Sequence, residues 1–211
     1  LRDRPEIDPR RIFVLGHSLG GTAIQRIARR DAELAEPRIA GFVILAGSTL
    51  PLEDSIERQL RYVAALDGRQ SDRERELLAR LATQVARVKS LTATTQVAAA
   101  DLPLGIPAAY WLDLAAHPPA VEIAAERRPL LVLQGERDYQ VTEDDFEGWR
   151  RALADNPLAR FRRYPELNHL FLAGAGKSSP PEYLRPRHVA VEVVEDVAAF
   201  VHSPAAELLP R

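Results

Sequence analysis

Three residues far apart in the chain carry the side chains that acyl transfer requires. They are Ser18 in Gly16-His17-Ser18-Leu19-Gly20, Asp138 in Gln134-Gly135-Glu136-Arg137-Asp138, and His169 in Tyr164-Pro165-Glu166-Leu167-Asn168-His169. A serine hydroxyl is a weak nucleophile until a base takes its proton, and an imidazole serves as that base when a third group fixes its tautomer. The chemistry these types support is attack of Ser18 on an acyl carbonyl. His169 would act as base and then acid, and Asp138 would hold the imidazole. The backbone N–H of Leu19 would face the developing oxyanion if a helix starts directly after the serine.

That chemistry needs elements to bring the three residues together. G-x-S-x-G has meaning between a strand and a helix, where the serine occupies a sharp turn and the residues two positions away on each side must be small; this accounts for Gly16 and Gly20. Alone, the pattern is short enough to arise by chance. Three apolar runs read as strands: Ile12–Leu15, Ile39–Leu45 and Leu130–Leu133, with a weaker fourth over Ala159–Leu167. Nearly continuous apolar runs suit strands buried on both faces of a parallel sheet. Asp138 follows the third run and His169 the fourth, where open α/β sheets place their sites.

Helical periodicity fills the intervals. Leu19–Arg30 places Ile24, Ile27 and Ala28 on one face, Thr142–Ala154 places Phe146, Trp149 and Leu153, and His188–His202 places Val189, Val193, Val197 and Phe200. Strands alternating with helices predict an α/β architecture with right-handed crossovers. Pro51–Ala100 breaks the alternation with two helices, Ser55–Leu66 and Asp72–Ser90, the second capped at Ser71 or Asp72. The stretch "DLPLGIPAAYWLDL" follows. The expected organisation is a core carrying the nucleophile over 1–50, a helical cap insertion over 51–115, and a core portion carrying acid and histidine over 116–211.

Composition narrows the classes. The 211 residues are 46% hydrophobic, and 28 basic against 30 acidic side chains give a net charge of -2. The arginines of Arg69–Arg80 alternate with Asp72, Glu74 and Glu76, which describes solvated helix faces and no footprint for nucleic acid. No apolar run approaches the roughly 20 residues that span a membrane. There is no cysteine, so disulfides and thiolate chemistry are excluded and the redox compartment stays open. No His, Asp or Glu grouping has metal-ligand spacing, and no metal is expected. "GAGKSS" at Gly174–Ser179 lacks the first glycine of a phosphate loop, since Phe171 stands there, and Pro180 and Pro181 disfavour the helix such a loop needs. The chain has no methionine, at position 1 or elsewhere, and opens with a charged, proline-containing segment before a buried-looking strand. It therefore reads as the later part of a longer protein, with any targeting segment upstream.

Other residues compete for the roles. Glu136 rivals Asp138 as the acid, with Glu53 and Asp54 more distant alternatives. His188 rivals His169. His17 beside the nucleophile suits a structural role, while His117 and His202 have no evident partner. Tyr110 and Trp111 fit an acyl pocket or core packing equally; Tyr139 and Phe171 are weaker pocket candidates.

From the nucleophile strand to the last helix, the chain resembles the α/β-hydrolase superfamily, within its dienelactone-hydrolase-like group. "VLGHSLGG", "GIPAAYWLDL", "LVLQGERDYQVTEDDFEGW" and "YPELNHLFLAGAGKSSPPEYLRPRHV" are together similar to EstD-like bacterial carboxylesterases. The resemblance implies an α/β-hydrolase fold, a triad of Ser18, Asp138 and His169, short-acyl ester hydrolysis, a small-molecule ester as partner and no cofactor. Thioesterase, peptidase or acyltransferase chemistry on the same fold stays open, as does a binding module that keeps the triad by ancestry. In this superfamily the second oxyanion N–H comes from a loop after an earlier strand, and only Leu1–Arg11 precede Ile12. The front of the sheet is thus expected to be missing, leaving an exposed apolar edge that favours homo-oligomers and a chain poorly active alone.

Overall fold

The computed structural model describes residues 4–204. Along the chain the elements run β1 (Phe13–His17), α1 (Leu19–Thr22), α2 (Ile24–Ala32), β2 (Gly41–Leu45), α3 (Leu52–Ala64), α4 (Asp72–Lys89), α5 (Ala108–Ala116), α6 (Pro119–Ile123), β3 (Leu130–Gly135), α7 (Glu143–Ala152), β4 (Ala159–Tyr164) and α8 (Val191–His202). They fall into two compact units. One comprises the chain up to Thr49, Pro119–Ser178 and the stretch from Arg185; the other comprises Leu50–Pro118 and Ser179–Leu184.

The first unit is built on one parallel sheet in the order β1-β2-β3-β4. Its register pairs His17 with Leu45, Leu45 with Leu133, and Gly135 with Tyr164, so β1 and β2 end level and β3 and β4 run two residues further. Alternation along each strand divides the core. Phe42, Ile44, Leu130 and Val132 face Ile24, Ala28, Ile123, Phe146, Trp149 and Leu153 of α2, α6, α7 and the α7 end. Val43, Leu131 and Leu133 face Val193 and Phe200 of α8 together with Tyr164 and Phe171. This is why β2 and β3 read as continuous apolar runs: both faces are covered. β4 lies at one edge and carries Arg160, Arg162 and Arg163, charges that discourage further pairing. β1 lies at the other edge, bonded to β2 alone among the described residues, with Leu15 exposed.

Some expectations need correction. The helix expected over Leu19–Arg30 is interrupted at Ala23, giving α1 and α2, and Ile27 is 37% exposed where Ile24 and Ala28 are buried. Val189 precedes α8 and is exposed; the buried apolar residues of that helix are Val193 and Phe200. α5 and α6 were hidden by flanking prolines, yet Pro107 and Pro119 sit at helix starts, where a missing N–H costs nothing.

In the helical unit, α4 opens on a capping box. Ser71 Oγ accepts from Glu74 N–H at 3.3 Å and Glu74 Oε2 accepts from Ser71 N–H at 2.7 Å. Its core is Val88, Leu102 and Trp111, with Leu52, Ile56 and Leu91 against them.

A buried ionic network ties α2 to the segments that lead into β2 and β3. Asp31 accepts from the N–H groups of Arg38 and Ile39 at 2.9 and 3.2 Å and from Arg128 Nη1 at 2.6 Å. Arg128 also donates to Glu126 and lies 4.7 Å above the Phe42 ring. Burial pushes the Asp31 pKa up, but the hydrogen bonds from Arg38, Ile39 and Arg128 outweigh it and hold the group below its ordinary value. A carboxylate depressed in this way contributes stability above its unfolded pKa and loses it as pH falls through the native value. Unfolding free energy should therefore decline below about pH 4, and Asp31→Asn should flatten part of that decline. Urea titrations of both proteins across the acid range check this; parallel acid slopes would contradict it.

Candidate active site

Ser18 sits where β1 gives way to α1, with φ 54° and ψ -120°. A non-glycine residue held there stores about 1–3 kcal/mol of backbone strain. Neighbouring bonds hold it: Ser18 N–H donates to Leu45 O at 2.9 Å, and Ser18 O accepts from Thr22 N–H at 2.9 Å. The turn is tight enough that a Cβ on Gly16 would stand 2.2 Å from Gly20 O. Gly20 itself has open space around its Cβ direction, contrary to expectation. The second steric demand falls on Gly21, where a Cβ would lie 3.0 Å from Gly47 Cα and 3.1 Å from Gly16 O.

Asp138 follows β3 and is buried. Its Oδ1 accepts from the N–H groups of Gln140 and Val141 at 2.7 and 3.0 Å, and its Oδ2 from Gln134 Nε2 at 3.3 Å. Gln134 also donates to Val141 O at 2.8 Å, joining the start and end of the acid turn. Gly135 lets the next loop come close, since a Cβ there would stand 2.4 Å from Leu167 O. Neither residue was singled out from sequence. The available signal was an amide and a glycine ending an otherwise apolar run, for a buried amide demands partners.

His169 lies in the turn after β4. Asn168 Oδ1 shapes that turn by accepting from the N–H groups of Leu170 and Leu172 at 3.0 and 3.1 Å. Phe171 is buried at φ 57° and donates its N–H to Asn168 O at 2.8 Å. The imidazole thereby meets both partners. Nδ1 lies 2.7 Å from Asp138 Oδ2, and Nε2 lies 3.0 Å from Ser18 Oγ. A carboxylate beside Nδ1 places the ring proton there and leaves the Nε2 lone pair to accept from the serine hydroxyl.

The rivals lie elsewhere. Glu136 is exposed and 3.6 Å from Arg163, and Asp54 pairs with Lys89 in the helical unit, which also contains Glu53. His188 is exposed, His202 meets Arg11, and His117 lies 3.9 Å from Asp113 in the helical unit. Trp111 is in the core of that unit, donating its indole N–H to Ile106 O at 3.0 Å, whereas Tyr110 is 37% exposed. Tyr139 is buried, as is Phe171. The "GAGKSS" segment is fastened by Arg137, which donates to the carbonyls of Gly176 and Ala175.

Residues 1–185 match the model of the alpha/beta hydrolase family. The chain belongs to this family. Over 201 residues it is 32% identical to Esterase EstD of Thermotoga maritima, covering 95% of this chain and 44% of that protein. It thus spans less than half the length of that relative. In fold, this alpha/beta hydrolase is similar to the hyperthermophilic esterase of the archaeon Pyrobaculum calidifontis, at 18% identity and a TM-score of 0.55, covering 94% of this chain and 53% of that one. A monoclinic form of the same esterase gives the same TM-score over 96% and 55%.

The glycine geometry separates two substitutions that look equivalent in G-x-S-x-G. Gly16→Ala drives a methyl into backbone and should lower unfolding free energy by about 1–3 kcal/mol. Gly20→Ala meets nothing in a helical position and should be neutral or raise it by up to about 1 kcal/mol. Chemical denaturation of the two variants reads the difference, and equal losses would contradict the asymmetry.

Proposed function

We propose that this alpha/beta hydrolase is a serine esterase that cleaves carboxylic esters, with short acyl chains, through an acyl-enzyme on Ser18. The observation that carries the reading is the unbroken hydrogen-bond line from Ser18 Oγ to His169 Nε2 at 3.0 Å and from His169 Nδ1 to Asp138 Oδ2 at 2.7 Å. Further support comes from the strained backbone at Ser18, a feature that concentrates at reacting groups, and from the similarity to a protein named as an esterase.

On this reading His169 Nε2 takes the Ser18 proton as Oγ attacks the ester carbonyl, and returns it to the departing alkoxide. Water then repeats the sequence on the acyl-enzyme and releases the acid. Asp138 keeps the imidazole oriented and balances the imidazolium in both steps. The Leu19 N–H, first of α1, supplies one oxyanion donor. The exposed apolar side chains of Leu19 and Leu170, each next in sequence to a reacting residue, favour an apolar acyl group over a charged one.

Hydrolysis of p-nitrophenyl esters of increasing acyl length by the intact natural protein tests the proposal. Ser18→Ala and His169→Ala should each lower kcat by about 10,000-fold or more, and the double variant should be no worse than either single one. Activity that survives Ser18→Ala, or that rises steadily towards long acyl chains, would overturn the proposal as stated.

A further inference from the structure

His17 is used by nothing in the mechanism above, yet it is bonded to the base. Its Nε2 lies 2.8 Å from the main-chain carbonyl oxygen of His169. That oxygen can only accept, so His17 carries a proton on Nε2 and donates it. The two imidazoles lie 4.8 Å apart at 47°, and the Phe171 ring meets His17 edge-on at 6.3 Å between ring centroids. The His169 turn is therefore joined to the nucleophile strand twice: through the Ser18 side chain, and one residue earlier through the His17 ring.

We propose that His17 is a positioning residue that clips the His169 turn to β1, and that its effect is greatest in the acyl-enzyme. The proposal rests on the serine-esterase reading. In the resting enzyme Ser18 O–H donates to His169 Nε2. Once Oγ is esterified it has no proton to donate, and among the described residues the His17 bond alone then spans from β1 and its turn to His169. Deacylation then requires Nε2 to take a proton from water as the water oxygen bonds to the acyl carbon. The C–Oγ bond breaks, and the proton passes from Nε2 to Ser18 Oγ. Burial, the main influence on His17, lowers its pKa below the ordinary imidazole value. A neutral ring at this position holds the carbonyl without opposing the imidazolium that forms on His169.

Stopped-flow hydrolysis of p-nitrophenyl acetate by the intact natural protein separates the two chemical steps. His17→Phe keeps a ring and loses the donor; His17→Gln keeps an N–H at similar reach; His17→Asn has an amide too short for it. In His17→Phe, deacylation should fall by about tenfold or more while acylation falls by about threefold or less. Acyl-enzyme should then accumulate as a burst of about one p-nitrophenolate per protein. His17→Gln should recover deacylation to within about threefold of wild type, and His17→Asn should not. If His17→Phe fails to fold, the comparison of Gln with Asn makes the same distinction. Unchanged rates, equal losses in both steps, or a Gln variant no better than Asn would overturn the clip while leaving the esterase reading intact. Wild-type hydrolysis independent of Ser18 would overturn both.

Discussion

The site depends on main chain passing main chain at distances that leave no room for a Cβ. Gly16 lies under the Gly20 carbonyl, Gly21 against Gly47, and Gly135 under the Leu167 carbonyl. The first contact folds the Ser18 turn, the second seats that turn on the segment after β2, and the third brings the His169 turn down onto the end of β3. Each is a steric condition and not an attraction. Interactions elsewhere must hold the chain against it, and the parallel ladder with its two covered faces does so.

Polar groups then make the arrangement specific. The Asp138 carboxylate is buried, and an uncompensated charge there would be costly. Two backbone N–H groups, the Gln134 amide and His169 surround it instead. Asn168 performs the corresponding task in the next loop, replacing a regular ladder with two side-chain-to-backbone bonds that turn the chain at His169. The same device recurs at Asp145, which accepts from Ser48 Oγ, Thr49 N–H and Thr142 N–H and so ties the start of α7 to the segment after β2. Rigid elements carry the loops, and buried polar side chains set their shape.

This division explains what could be read from sequence. Strands β2 and β3 were legible because burial on both faces leaves uninterrupted apolar runs, and Phe146, Trp149 and Leu153 were legible because one buried helix face repeats with helical period. Chain order and strand ends pointed to Asp138 and His169 but left Glu136 a rival for the acid; only the structure separates the two, with Glu136 exposed beside Arg163 and Asp138 bonded to His169. What escaped were effects of close approach and of context. Gly20 and Gly21 are indistinguishable as letters, and only the fold, which brings Gly47 Cα, Gly16 O and Leu45 O to 3.0–3.2 Å from a Cβ on Gly21, shows which of them is crowded. Ile27 and Val189 fit apolar patterns but lie beyond the covered surface. α5 was obscured by Pro107, whose place at the helix start is a matter of geometry and not of composition. The bond from His17 to the His169 carbonyl joins two residues 152 positions apart and leaves no local trace.

The central claim is that Ser18 is a nucleophile activated by His169. Reaction of the intact natural protein with a fluorophosphonate, followed by mass spectrometry of the intact chain and its peptides, measures that activation without assuming a substrate. The account predicts about one phosphonyl group per protein, on Ser18, with labelling slowed by orders of magnitude in His169→Ala. A folded protein that takes up no label, or takes it up on another residue, would contradict it.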